Sequence, residues 1–301
     1  MKEKFESYKP YKASKRKIEW VNEIIAEYRV QGYTLTLRQL FYQLVSRDLI
    51  VNSRREYESL SEVMTRARMS GLVDWDGIED RGRFPRIPDC TNSVQEALSQ
   101  TAQCFRVNRQ SQQDNYVEVW CEKDALSGIL ERIANNYHIN LIINKGYNST
   151  TAAYGAAQRV KAKLESGKKF CHILYFGDHD PSGLDMVKDI RKRFNVMNVP
   201  ESFEVNHIAL TTAQVDHYKP PENKIKRDVY GKLKDPRGKA YYKEFGNSSW
   251  EVDALSPAII TDLLESEIKA VIDMGTFKRV CEIENKWKAE LLELAKNYQS
   301  A

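Results

Sequence analysis

Apolar residues return every three or four positions between Ser14 and Val30, at Ile18, Val21, Ile24, Ile25 and Tyr28. That period predicts an amphipathic helix with a charged outer face, ended by Gly32. The next segment, TLTLRQLFYQLVSRDLI, carries a helical stripe of Leu37, Leu40, Phe41, Leu44 and Val45, with Thr36 in place as N-cap. A third helix is expected from Ser53 to Ser70, stopped by Gly71. LVDWDGIEDRGR then reads as a short strand or two, with a turn at Asp76-Gly77. The stretch RGRFPRIPDCTNS, with its two prolines and three arginines, marks the end of this first unit.

A connecting helix is expected from Asn92 to Phe105, and polar RQSQQDN forms the next boundary. Beyond it the pattern changes. Short apolar runs (YVEVWC, INLIIN, FCHILYFG, FEVNHIAL) alternate with helical stretches over 125–137, 152–164 and 181–194. Continuous apolar strands separated by helices predict a parallel sheet covered on both faces, an α/β domain. Asp180 followed by Pro181 is a helix start, cap and first helical residue together. After Thr211 come a basic stretch, a strand-like WEVDAL and helices from Pro257 to Ala295. The expected division is therefore 1–90 for the first unit, 91–112 for the connector, 113–215 for the sheet, and 216–301 for the basic segment and C-terminal helices. Three helices followed by a β-ribbon is the order of a winged helix, a helix-turn-helix relative that lays one helix on DNA.

Composition sharpens this picture only in part. With 42% hydrophobic and 29% charged residues, the chain belongs among ordered globular proteins. No run of 18 apolar residues exists and the start, MKEKFESYKPYKASKRK, has no apolar segment behind its charges. No membrane contact and a cytoplasmic location are the expectation. Five cysteines form no C-x-x-C pair, so free thiols are expected. The net charge is only +4, yet residues 2–17 hold seven Lys or Arg against two Glu, and residues 224–243 hold eight against two Asp. Such runs are the ordinary make-up of a solvated face, and equally of a phosphate-contacting one. Arg54, Arg55, Lys224, Lys226 and Arg227 are the candidate DNA contacts.

The segment HILYFGDHDPSG carries the most chemistry. A buried strand ending in Asp-x-Asp delivers Asp178 and Asp180 to one side at the carboxyl edge of the sheet, with His179 on the other. Two carboxylates so close repel each other unless a cation intervenes, and hard oxygen ligands suit magnesium or manganese. The same spacing also serves a turn and a helix cap. Glu122 ends the strand YVEVWC in the equivalent position one βα unit earlier, so three acids are expected to meet.

Taken together, the strand ending in Glu122-Lys123, the segment KGYNSTTAAYG and the later GDHDPSG resemble the Toprim domain of topoisomerases, primases and some nucleases. The form D-x-D-P-x-G resembles the catalytic A subunits of topoisomerase VI, and RQLFY supplies Arg38, Phe41 and Tyr42 in the order of that family's R-x-x-[FY]-Y motif. The resemblance spans roughly residues 15 to 210. It extends to small stand-alone A-like proteins called topoisomerase Mini-A and to the nuclease subunit of Wadjet plasmid-defence systems. The chain lacks the proline of the family's central loop, having KGYNS there.

The resemblance implies a winged helix followed by a Toprim domain, magnesium held by Glu122, Asp178 and Asp180, and Tyr42 as a nucleophile that becomes linked to a 5′ DNA end. Arg38, one helical turn earlier, would favour the phenolate or hold the phosphate. It implies a homodimer on double-stranded DNA, with each tyrosine serving the partner's metal site. No G-x-x-x-x-G-K-[ST] motif occurs, so an ATPase would be a separate subunit. Metal-dependent hydrolysis by water and a non-catalytic DNA-binding regulator stand beside transesterification as readings of the same residues.

Overall fold

The computed structural model describes residues 1–80, 88–225, 227, 230, 232, 233, 235 and 237–298. Helix α1 (Lys12–Val30) buries the five apolar positions that its period singles out. Strand β1 (Leu35–Thr36) leads into α2 (Leu37–Ser46), where the Thr36 side chain accepts from Gln39 N–H and the Gln39 side chain accepts from Thr36 N–H. This reciprocal capping box satisfies two of the backbone donors that a helix start leaves orphaned. Ser53 caps α3 (Arg54–Met69), and the three helices close around Leu40, Leu44, Leu60 and Met64.

The expected ribbon takes another form. Asp74 accepts from Asp76 N–H at 3.0 Å and caps a 3-10 turn over Trp75–Gly77. That turn delivers β2 (Ile78–Glu79) to a parallel pairing with β1, with Leu35 opposite Ile78. Both side chains enter the helical core, and this burial selects the pairing over a local hairpin. The end of the expected ribbon, 81–83, lies outside the described residues.

Ser93 caps α4 (Val94–Cys104), which leads to the sheet. The order β3 (Asn115–Cys121), α5 (Ser127–Tyr137), β4 (Asn140–Ile143), α6 (Thr150–Glu165), β5 (Phe170–Phe176), α7 (Pro181–Val196) and β6 (Phe203–Ala209) builds four parallel strands arranged β4-β3-β5-β6. Alternation along β3 sorts its side chains into two layers. Val117, Val119 and Cys121 pack with α5, while Tyr116 and Trp120 pack with α6 and α7. Covered on both faces, the central strands β3 and β5 are nearly continuously buried, as their sequence predicts.

The remainder comprises α8 (Thr212–Tyr218), the antiparallel pair β7 (Asn223–Lys224) and β8 (Ser248–Ser249), α9 (Gly238–Phe245), α10 (Pro257–Val271) and α11 (Met274–Asn297). Ile260, Leu264 and Ile268 of α10 complete the α5 layer of the sheet core, and α11 lies along α4. WEVDAL is not a strand. Trp250 exchanges two backbone hydrogen bonds with His179, after which the chain enters a 3-10 turn over Val252–Ala254. The reason is burial on two sides: Val252 and Leu255 enter the sheet core, while Ala254 enters the core of the N-terminal helices. Among the described residues no helix is long and apolar enough to cross a membrane, and the five cysteines are free.

Candidate functional site

Strands β3 and β5 are neighbours with Cys121 opposite Phe176, so the residues that follow them leave the same edge of the sheet. Glu122 and Asp178 meet there, and Glu122 Oε2 accepts from the Asp178 N–H at 3.3 Å. Asp180 Oδ1 accepts from Gly183 N–H at 2.7 Å and caps α7 behind Pro181. All three acids line one cavity of about 620 Å³, together with Arg38, Lys123, Tyr147, Lys224 and Glu251. The capping reading of Asp180 holds, and a carboxylate capping through one oxygen keeps a second for other ligands.

Tight backbone packing fixes the spacing of the two aspartates. A Cβ on Gly183 would stand 2.2 Å from the carbonyl oxygen of Asp178. Gly183→Ala is therefore expected to force the start of α7 away from the strand end, costing about 1–3 kcal/mol in an overpacked site. Thermal unfolding checks this, and an unchanged midpoint would contradict it.

Electrostatics at this edge is unbalanced toward negative charge. Burial, reinforced by the adjacent Asp178 carboxylate, pushes Glu122 up to about 7. Burial also raises Asp178, although Lys123 opposes the shift. Lys123 Nζ ion-pairs with Asp178 Oδ2 at 2.9 Å, Glu251 Oε2 at 2.7 Å and Asp253 Oδ1 at 3.0 Å. Burial works against charge on Asp253 too, but Lys123 and Arg38 outweigh it and hold the carboxyl below its usual range. The carboxyls of Glu122 and Asp178, each harder to ionise than a free carboxyl, share this edge with the Asp180 carboxyl, and all three are hard oxygen groups of the kind divalent cations take. Among the described residues, however, no group of three His, Cys, Asp or Glu side chains is placed to hold a metal ion. Asp178 has its oxygens on Lys123 and on Val252 N–H, the latter at 2.9 Å.

The N-terminal helices reach the same place. Arg38 Nε donates to Asp253 Oδ2 at 2.7 Å, and its Nη2 pairs with Glu251 and lies 3.3 Å from the Tyr42 hydroxyl. Tyr42 itself is only 4% exposed, packed edge-on to Phe41, and burial raises its phenol above the ordinary value despite the Arg38 charge. His179 lies beyond the end of β5, where it bridges to Trp250. Its ring is enclosed by Tyr241, Phe245 and Trp250, with Nδ1 2.7 Å from Tyr241 Oη and Nε2 3.0 Å from Thr212 Oγ1.

Of the candidate DNA contacts, Lys224 lines the cavity. Arg54 and Arg55 open α3 just after Asn52, whose amide donates to Glu222 O and Asn223 Oδ1 at 3.0 Å each. Arg54 is paired with Glu58, and Arg227 lies over the Tyr242 ring. Lys226 lies outside the described residues. Glu251 and Asp253 carry no role in the sequence reading. Their E-x-D spacing is the only sequence signal they give, and on a strand it would have marked one exposed face. Compared with known proteins, the chain matches no family model and no curated protein.

Proposed function

We propose that this chain is a divalent-metal-dependent DNA-breaking enzyme in which a winged helix precedes a Toprim domain, in the manner of topoisomerase VI A subunits. The observation that carries the reading is that Glu122, Asp178 and Asp180 line one cavity at the carboxyl edge of a parallel sheet, together with Arg38, Lys123 and Lys224. The acids would hold magnesium or manganese, which at such a site stabilises charge on a phosphate and generates a nucleophile from water. Arg38 and Lys224 offer charge to phosphate oxygens. Double-stranded DNA and a second copy of the chain are the proposed partners, and any strand passage would call on a separate ATPase subunit.

Water is the nucleophile that the geometry favours. Tyr42 is buried, its phenol is harder to ionise than free tyrosine, and Arg38 is shared with Glu251 and Asp253. Tyr42 is the second reading, supported by its hydroxyl contact to Arg38, which lines the cavity. The two differ in their products. With end-labelled duplex DNA and manganese, hydrolysis leaves free 5′ phosphates, and Tyr42→Phe, which keeps the ring and its packing, cuts within about threefold of wild type. Label that migrates with the denatured polypeptide, lost in Tyr42→Phe, would establish the tyrosine instead. DNA binding with no metal-dependent cleavage of any DNA would leave the regulator reading and remove both enzymes.

A further inference from the structure

We propose that the N-terminal helices complete the cavity in cis: Asp253 and Glu251 hold Arg38 of the same chain against Lys123 and the acid wall, so one chain presents both cations and acids to one scissile phosphate. The catalytic consequence rests on the cleavage reading above; the geometry does not. Asp253 is fully buried and takes Arg38 Nε on one oxygen at 2.7 Å and Lys123 Nζ on the other at 3.0 Å. Glu251 contacts the same two cations from the cavity side. Between them, Val252 N–H donates to Asp178 Oδ1 at 2.9 Å. Three consecutive residues of one 3-10 turn and its entry therefore set the positions of Arg38, Lys123 and Asp178 together.

This turn is not a lone contact between the two halves of the chain. Ala254 is buried in the N-terminal core beside Leu40 and Leu44. Tyr33 Oη lies 2.9 Å from Thr261 Oγ1 at the start of α10, and Asn52 holds the Glu222-Asn223 backbone and side chain. Apolar insertion, a hydroxyl pair, an amide bridge and a buried ion network all tie the N-terminal helices to the segment that carries Glu251 and Asp253. A buried carboxylate shared by two cations is strongly resisted when either cation leaves, which makes the docked arrangement specific. Asp253 is accordingly a positioning residue. It acts through Arg38 and Lys123 and does not itself line the cavity.

Subunit mixing tests the inference. Arg38→Ala and Asp178→Ala, each alone, should lower metal-dependent cleavage by about 10²-fold or more. Co-expressed under separate tags and purified as a mixture, the two variants should show no recovery above either one alone. Recovery would mean that the Arg38 of one chain serves the acids of another, and would overturn the inference. Where Asp178→Ala fails to fold, Asp180→Asn replaces it as the acid-site variant.

Should wild type cleave no DNA at all, the proposed function falls, and the cis arrangement is read from stability instead. Urea midpoints of Arg38→Gln, Asp253→Asn and the double variant should be non-additive, with a coupling that does not change when the chain is diluted. Additive midpoints, or a coupling lost on dilution, would overturn it.

Discussion

Asp178→Ala is expected to lower manganese- or magnesium-dependent cleavage of plasmid DNA by about 10³-fold or more, because it removes the central acid of the cavity and one of the three partners of Lys123. The fold should survive. Lys123 keeps Glu251 and Asp253, and loss of a carboxyl that burial disfavours in its charged form relieves like-charge crowding with Glu122. A thermal midpoint within about 4 °C of wild type is expected, which corresponds to about 1–2 kcal/mol in a protein of this size. Calorimetry with manganese should register weaker binding in parallel with lost cleavage. Cleavage by Asp178→Ala at the wild-type rate would remove the cavity from the chemistry.

The opposite pattern is expected of Glu118, where stability should collapse while the chemistry of each folded molecule persists. Glu118 sits fully buried on β3 between Tyr116 and Trp120, on the face covered by α6. Its carboxylate accepts from Tyr116 Oη at 2.6 Å, Trp120 Nε1 at 2.8 Å and Arg159 Nη2 at 2.9 Å. Glu118→Ala leaves a guanidinium half-buried without its partner and two ring donors unsatisfied, a change that costs about 3–5 kcal/mol. Against total stabilities of about 5–15 kcal/mol this is a large fraction, and urea unfolding would register it directly. Replacing both partners, Glu118→Leu with Arg159→Met, should recover part of the loss, since an apolar pair leaves no stranded charge. A double variant less stable than Glu118→Ala would contradict this account of the network.

The two sites also separate what can be read from a sequence from what cannot. The helices α1, α2 and α3, the four sheet strands and the caps at Thr36 and Asp180 follow from local order. Period decides which face is buried, and side-chain chemistry within three residues decides where a helix starts. The approach of Glu122 to Asp178 was legible for the same reason, because parallel strands joined by helices bring their carboxyl ends to one edge. The pairing of β2 with β1 was not legible, since a two-residue strand has no period and its partner lies more than forty positions away in the chain.

WEVDAL illustrates the limit most clearly. Its alternation of apolar and acidic residues is what a half-buried strand shows, but the folded chain uses it as a turn wedged between two cores. Glu251 and Asp253 acquire their partners, Arg38 and Lys123, from segments more than 120 residues away. By itself the sequence determined the N-terminal helices, the strands and helices of the parallel sheet, and the edge that Glu122 and Asp178 share, because these follow from local order. Only the tertiary structure decided which cations face those acids and that Tyr42 lies beneath the surface, because long-range packing, not local period, chooses the partners of a buried charge.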